Sequence, residues 1–142
     1  MPDILHRVGI RTTPQKVYEA LSTIEGLRHW WTLETTGEPH RGGVIDFGFC
    51  RMKVVEAKPG KLVKWKCVDG PAEWINTEVT FQLVRKMGQT FVLFTHAKWK
   101  KPVEFMRHCS TKWATFLFSL MYWLERGEGR PAPYDVKIHF GD

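Results

Sequence analysis

Hydrophobic positions along the chain change their period twice, and the changes divide it into three stretches. From Ile4 to Arg11 the residues alternate, so Ile4, His6, Val8 and Ile10 share one face of a predicted strand. Thr13-Pro14 then supplies an N-cap residue followed by proline at the first helical position. The helix it opens reaches about Ser22, with Val17, Tyr18 and Leu21 on one side. A second short helix is predicted for Ile24 to Trp31, with Leu27, Trp30 and Trp31 as its apolar edge.

Gly42-Gly43 is a turn signal, and after it the period falls to 2. Val44 to Phe49 reads as a strand with Ile45, Phe47 and Phe49 on one face. Met52 to Lys58 follows and is closed by Pro59-Gly60. In the next strand, Leu62 to Val68, Val63, Trp65 and Cys67 alternate with Lys64 and Lys66, the pattern of a half-buried antiparallel strand. Trp74 to Arg85 places Ile75, Thr77, Val79, Phe81 and Leu83 in register. Gln89 to Lys98 carries Val92, Phe94 and His96 on one face and Phe91, Leu93 and Thr95 on the other.

After Pro102 the period becomes helical for about 24 residues, or about 35 Å. Met106, Cys109, Trp113, Phe116, Leu117, Leu120, Met121 and Leu124 form its apolar face. Gly127, Gly129 and Pro131 stop it. In the tail, Val136, Ile138 and Phe140 alternate, which suits an edge strand or a segment packed across the surface. The fold class is therefore α+β in one domain over 1–142. Hairpin-length loops make the strands an antiparallel meander, and a twisted sheet of this length curls. Only the last helix is long enough to cover its apolar face. Whether the space between them is packed or open to a ligand is the functional question.

Composition narrows the picture without naming a reaction. A chain of 142 residues, 43% hydrophobic and 13% aromatic, has material for an ordinary core and needs no disulfide or metal staple. The formal charge is +6, concentrated in Arg51, Lys53, Lys58, Lys61, Lys64 and Lys66 and again around Lys98 to Lys112. These residues read first as the wet faces of a sheet and a helix start. They sit in no arginine-rich arm, zinc finger or aromatic RNA-binding motif, so nucleic acid is an unlikely partner. Cys50, Cys67 and Cys109 form no CxxC and are odd in number, which suits free thiols in a reducing compartment. The start lacks an apolar signal-peptide core, and the apolar stretch from Phe116 to Leu124 is far short of a membrane span. A cytoplasmic location is the expectation.

The order of these pieces resembles the START-like, or SRPBCC, superfamily with its helix-grip fold. The branch it is most similar to is named after the activator of the heat-shock chaperone's ATPase. The resemblance rests on the opening strand with Thr13-Pro14-Gln15-Lys16-Val17-Tyr18-Glu19-Ala20-Leu21, on Trp30-Trp31, and on Gly42-Gly43. Val54-Val55-Glu56-Ala57-Lys58-Pro59, Leu62-Val63-Lys64-Trp65, Val79-Thr80-Phe81-Gln82-Leu83 and Phe94-Thr95-His96 continue it. The closing Trp113, Leu117 and Leu120, then Leu124-Glu125-Arg126-Gly127-Glu128-Gly129-Arg130-Pro131, complete it. It implies a deep, mainly apolar cavity between the curled sheet and the C-terminal helix, but no catalytic set. Chaperone activators of the branch carry an additional docking domain that this chain has no room for, so a chaperone partner is doubtful.

Candidate chemistry is sparse. GxGxxG, Walker A, HExxH and GxSxG are all missing. No two of the six histidines are spaced as helical metal ligands, so no metal and no cofactor is expected; a metal site could only be assembled from distant residues. His96 points inward by alternation and could orient a ligand or move a proton; the plainer reading is a hydrogen-bonded core histidine. His6 carries the same pair of readings. Glu56 shares parity with Met52 and Val54, where it could act as a base, but the face of Lys53, Val55 and Ala57 suits the core equally well. Trp30, Trp31, Phe47, Phe49, Trp65 and Phe81 are candidate cavity walls, with Phe94, Trp113, Phe116, Leu117 and Leu120 beside them. The alternative is that such rings pack on one another.

Three functions follow from this. The first is binding of a small hydrophobic or aromatic ligand, oriented by His96 or His6. The second is a cyclase, dehydratase or hydrolase with an inward histidine as acid or base. The third is a protein-interaction module acting through the basic sheet face. Oligomeric state is open.

Overall fold

In the computed structural model, which describes residues 2–142, capping chemistry sets the first elements. Strand β1 (Ile4–Ile10) leads into helix α1 (Pro14–Ser22), whose first turn is closed by Thr13 Oγ1 accepting from the Lys16 amide at 3.3 Å. Thr23 repeats the device for α2 (Ile24–Trp30), accepting from the Gly26 amide at 3.0 Å. The strands β2 (Thr36–Gly37), β3 (Val44–Asp46), β4 (Arg51–Lys58), β5 (Leu62–Asp69), β6 (Glu78–Lys86) and β7 (Gln89–Ala97) follow. All seven lie in one antiparallel sheet, ordered β1-β7-β6-β5-β4-β3-β2. Helix α3 (Glu104–Arg126) closes the chain's regular structure and stops at Gly127, whose φ of 75° is the left-handed cap that glycine adopts freely. The α+β helix-grip arrangement read from the sequence is the observed one.

Two local expectations are corrected. The strand after Gly42-Gly43 ends at Asp46 rather than Phe49. Asp46 Oδ1 accepts from the Gly48 amide at 2.8 Å and Gly48 turns at φ 91°, so Phe49 leaves the inner face and is 49% exposed, while Ile45 and Phe47 are buried. The strand expected from Trp74 begins only at Glu78; Ala72–Trp74 is a single 3-10 turn, and Asn76 takes φ 70° before β6 starts. Of the two forms expected for the tail, the structure shows a segment packed across the surface and not an edge strand. It runs back past the end of α2, with the Ala132 amide on the Trp31 carbonyl at 2.7 Å and the Leu33 amide on the Ala132 carbonyl at 3.0 Å.

The space between sheet and α3 is largely solid. Ring centroids follow one another at 5.0 Å for Trp65–Phe81, 5.3 Å for Phe81–Phe94 and 4.6 Å for Phe94–Trp113. Such offset and edge-to-face contacts fill volume without leaving room for a guest.

Candidate functional site

One face of α3 carries Phe105, His108, Cys109, Lys112, Trp113 and Phe116, a stripe at helical spacing. Opposite it stand Trp31 from the end of α2, Phe49 from the loop after β3 and Trp74 from the 3-10 turn. Between them lies an open cleft of about 240 Å³. The tail forms its last wall through Ala132, Asp135 and Asp142. The cleft thus sits at one end of the sheet–helix interface rather than along it.

Most of its surface is aromatic. Trp31 lies 4.9 Å from Trp113 and 5.9 Å from Phe49, and Trp74 stacks on Trp113 at 6.0 Å with planes 10° apart. The polar end is an ion cluster. Lys112 Nζ donates to the Asp135 carboxylate, to Asp142 at 2.9 Å and to the Val136 carbonyl at 2.9 Å, while Lys137 Nζ reaches Asp135 at 2.9 Å. Burial alone would raise the Asp135 carboxyl, but the hydrogen bonds from Lys112 and Lys137 outweigh it and hold the group below its ordinary range. For Lys112, burial works against the charge, yet its two carboxylate partners leave its pKa raised.

Of the residues singled out from the sequence, Phe49, Trp113 and Phe116 line this cleft, and Trp31 with them. Trp30, Phe47, Trp65, Phe81 and Phe94 lie in the solid core, as do Leu117 and Leu120. His96 is fully buried one layer behind the cleft wall, among Trp74, Trp99 and Trp113. Trp113 Nε1 donates to His96 Nδ1 at 3.1 Å. An indole N–H only donates, so the His96 proton sits on Nε2, which donates to Thr77 Oγ1 at 2.8 Å. The Thr77 hydroxyl in turn donates to the Trp74 carbonyl at 2.6 Å. Burial pushes the His96 pKa down to about 3. The imidazole is thus neutral, with both nitrogens occupied, and it fixes Trp74 and Trp113, two of the three tryptophans that wall the cleft.

His6 reaches the Ser110 carbonyl at 3.0 Å and the Ser110 hydroxyl at 3.2 Å, joining β1 to α3 away from the cleft. Glu56 does not face the interior. A register shift between Val54 and Glu56 pairs Val54 with Trp65 but Glu56 with Lys64, which turns Glu56 outward beside Lys58 at 3.7 Å and Ala57 inward. The residues missed in the sequence are Trp74, Phe105, His108, Cys109, Lys112, Asp135 and Asp142 as a group. Six cleft residues of α3 share one stripe; Cys109, Trp113 and Phe116 fall on the predicted apolar face, while Phe105, His108 and Lys112 flank it and escape a search for a greasy face. Cys109 is itself muted: burial raises its thiol to about 11 against a hydrogen bond from Trp74.

The sequence profile of the Activator of Hsp90 ATPase homolog 1-like proteins matches residues 11–125. The chain belongs to that family. No curated protein matches it in sequence. Among solved structures, the solution structure of the Aha1 dimer from Colwellia psychrerythraea is 44% identical, covers 91% of this chain and 100% of that one, and superposes with a TM-score of 0.84. A Staphylococcus saprophyticus protein is 18% identical over 92% of this chain and 98% of its own, with a TM-score of 0.78. CalU16 from Micromonospora echinospora is 18% identical over 92% and 77%, with a TM-score of 0.76. These last two show the shared fold. In this family member the profile match stops before the tail, so Asp135 and Asp142, which close the polar end of the cleft, lie beyond it. None of its helices is long and apolar enough to cross a membrane, among the described residues.

Proposed function

We propose that the chain binds a small aromatic or hydrophobic molecule in the cleft beside α3, with its polar substituent turned toward Lys112 and Asp135. The observation that carries this reading is a volume of about 240 Å³ walled by Trp31, Trp74, Trp113 and Phe116 and ending in charge. Drug-sized pockets begin at about 300 Å³, and a cavity of about 150 Å³ takes benzene, so one or two rings are the size that fits. Burying on the order of 200 Å² of ligand surface would contribute about 5 kcal/mol before ordering costs.

Indole and 2-naphthol are suitable probes, read by intrinsic tryptophan fluorescence and by native mass spectrometry. One saturable site is expected, lost when Ala132→Trp fills the cleft from its tail side. Quenching that never saturates, or that persists in Ala132→Trp, would rule the reading out. The chemistry around His96 supports a strut rather than an acid or base, because neither nitrogen is free to meet a substrate.

A second reading is assembly with another copy of the chain. It is supported by the dimer described for the Colwellia relative and by Tyr134, Val136 and Phe140, which the tail leaves exposed. Light scattering should then give twice 16.6 kDa, and Phe140→Ser should shift the mass toward the monomer. A monomer at all concentrations would dismiss it.

A further inference from the structure

The tail brings two titratable side chains back to α3 at the rim of the cleft. His108, His139 and Asp142 stand together there, each with a ligand atom within 4.8 Å of the others. They are separated by 31 and 3 positions in the chain, so only the folded tail assembles them.

We propose that these three residues form a binding site for a borderline divalent transition metal such as Zn²⁺. Two imidazoles and one carboxylate are a donor set that suits such ions and disfavours Mg²⁺ or Ca²⁺. The hydrogen bonds point the same way. His139 Nδ1 lies 2.8 Å from the Phe140 carbonyl, which can only accept, so Nδ1 carries the proton and Nε2 presents a lone pair. A backbone carbonyl on the far nitrogen is the usual orienting partner of a metal-bound histidine. Both hydrogen bonds to the Asp142 carboxylate, from Lys112 Nζ and the Ile138 amide at 2.9 Å each, fall on Oδ2. Oδ1 is left for an ion. His108 hydrogen-bonds to no other described residue and is held by stacking on Phe105, with centroids at 5.6 Å and planes 12° apart.

Distance and charge are compatible with occupancy. Ligand atoms about 2.1 Å from a tetrahedral ion lie about 3.4 Å apart. The donors need to close by at most about 1.4 Å; His139 is an exposed side chain that can turn to do so, while Asp142 is held through Oδ2 by Lys112 and the Ile138 amide. The nearby Lys112 ammonium is already balanced by Asp135 and Asp142, with Lys137 also on Asp135. Three protein ligands leave a fourth position open. His108 and Asp142 also line the cleft, so that position lies at its rim.

The test uses the whole chain and the metal alone, with no organic ligand, and so stands or falls apart from the proposed cleft ligand. Calorimetric titration with Zn²⁺ should show one site per chain and no comparable heat with Mg²⁺. His139→Ala, Asp142→Asn and His108→Ala should each weaken it at least about tenfold. Circular dichroism checks that the variants stay folded; the first two alter exposed positions. Co²⁺ in place of Zn²⁺ should give the intense visible absorption of a four-coordinate ion, lost in His139→Ala. Zn²⁺ binding unchanged in His139→Ala and Asp142→Asn, binding with no defined stoichiometry, or a Co²⁺ spectrum no stronger than the hydrated ion overturns the proposal.

Discussion

At the scale of single residues, His96 shows how an inward titratable group becomes a strut. Its proton placement follows from one fact, that Trp113 can only donate, and the rest of the relay to Thr77 and the Trp74 carbonyl is then fixed. The consequence is a pH dependence of known sign. The folded pKa of about 3 lies below the ordinary 6.5, so the unfolded chain takes up the proton first. Stability from this group is complete above pH 6.5 and is lost as the pH falls toward 3, by up to about 1.4 kcal/mol per pH unit. Urea unfolding at pH 7, 6 and 5 should show that loss, and His96→Gln, which can keep both hydrogen bonds, should flatten it. Equal slopes in the two proteins would mean that protonation of this imidazole is not what the fold resists. Alternation along β7 was enough to turn His96 inward, but it could not say that both nitrogens would be occupied. Glu56 marks the opposite limit: one extra residue in β4 reverses every face after it, and no hydrophobic pattern announces the bulge.

At the scale of elements, strands and helices were legible wherever one face is dry. β5 and β6 alternate cleanly because the outer side of the sheet meets water, β7 carries apolar residues on both faces, and α1 is announced by Thr13-Pro14 and α2 by the apolar edge of Leu27, Trp30 and Trp31. Legibility failed where side-chain hydrogen bonds or positive φ values compete with pairing. Asp46 with Gly48 ends β3 early, and Asn76 delays β6, and these two interruptions deliver Phe49 and Trp74 to the cleft. The site is therefore built from the residues that break the periodic pattern. On α3 the same logic holds: the apolar stripe facing the sheet, Cys109 included, was visible, while the adjoining Phe105, His108 and Lys112 have no uniform chemistry to reveal them.

At the scale of the whole molecule, the aromatic content decides where a guest can go. Large rings close the middle of the grip, and the aromatic cleft survives at the end where the tail, not the sheet, supplies a wall. That wall depends on Lys112, whose three oxygen partners all come from the tail. Asp135 is buried, so removing Lys112 leaves its carboxylate with Lys137 alone in a desolvated place. Lys112→Met keeps the length of the side chain and deletes the charge. It should cost on the order of 3 kcal/mol in denaturant unfolding, open residues 131–142 to proteolysis, and weaken 2-naphthol binding together with Zn²⁺ binding. Adding Asp135→Asn should restore part of the stability, because the stranded charge goes with it. The pH limits follow from the same groups. The Asp135 carboxyl is held below its ordinary 3.8, so the tail's attachment is present above that pH and lost as the pH falls through the folded value. The Lys112 pKa is raised above 10.5, so the attachment persists below that pH and is lost as the pH rises through the folded value. A Lys112→Met chain that resists protease as the parent does would show that the tail is held by its backbone bonds to Trp31 and Leu33, with the ion cluster a passenger.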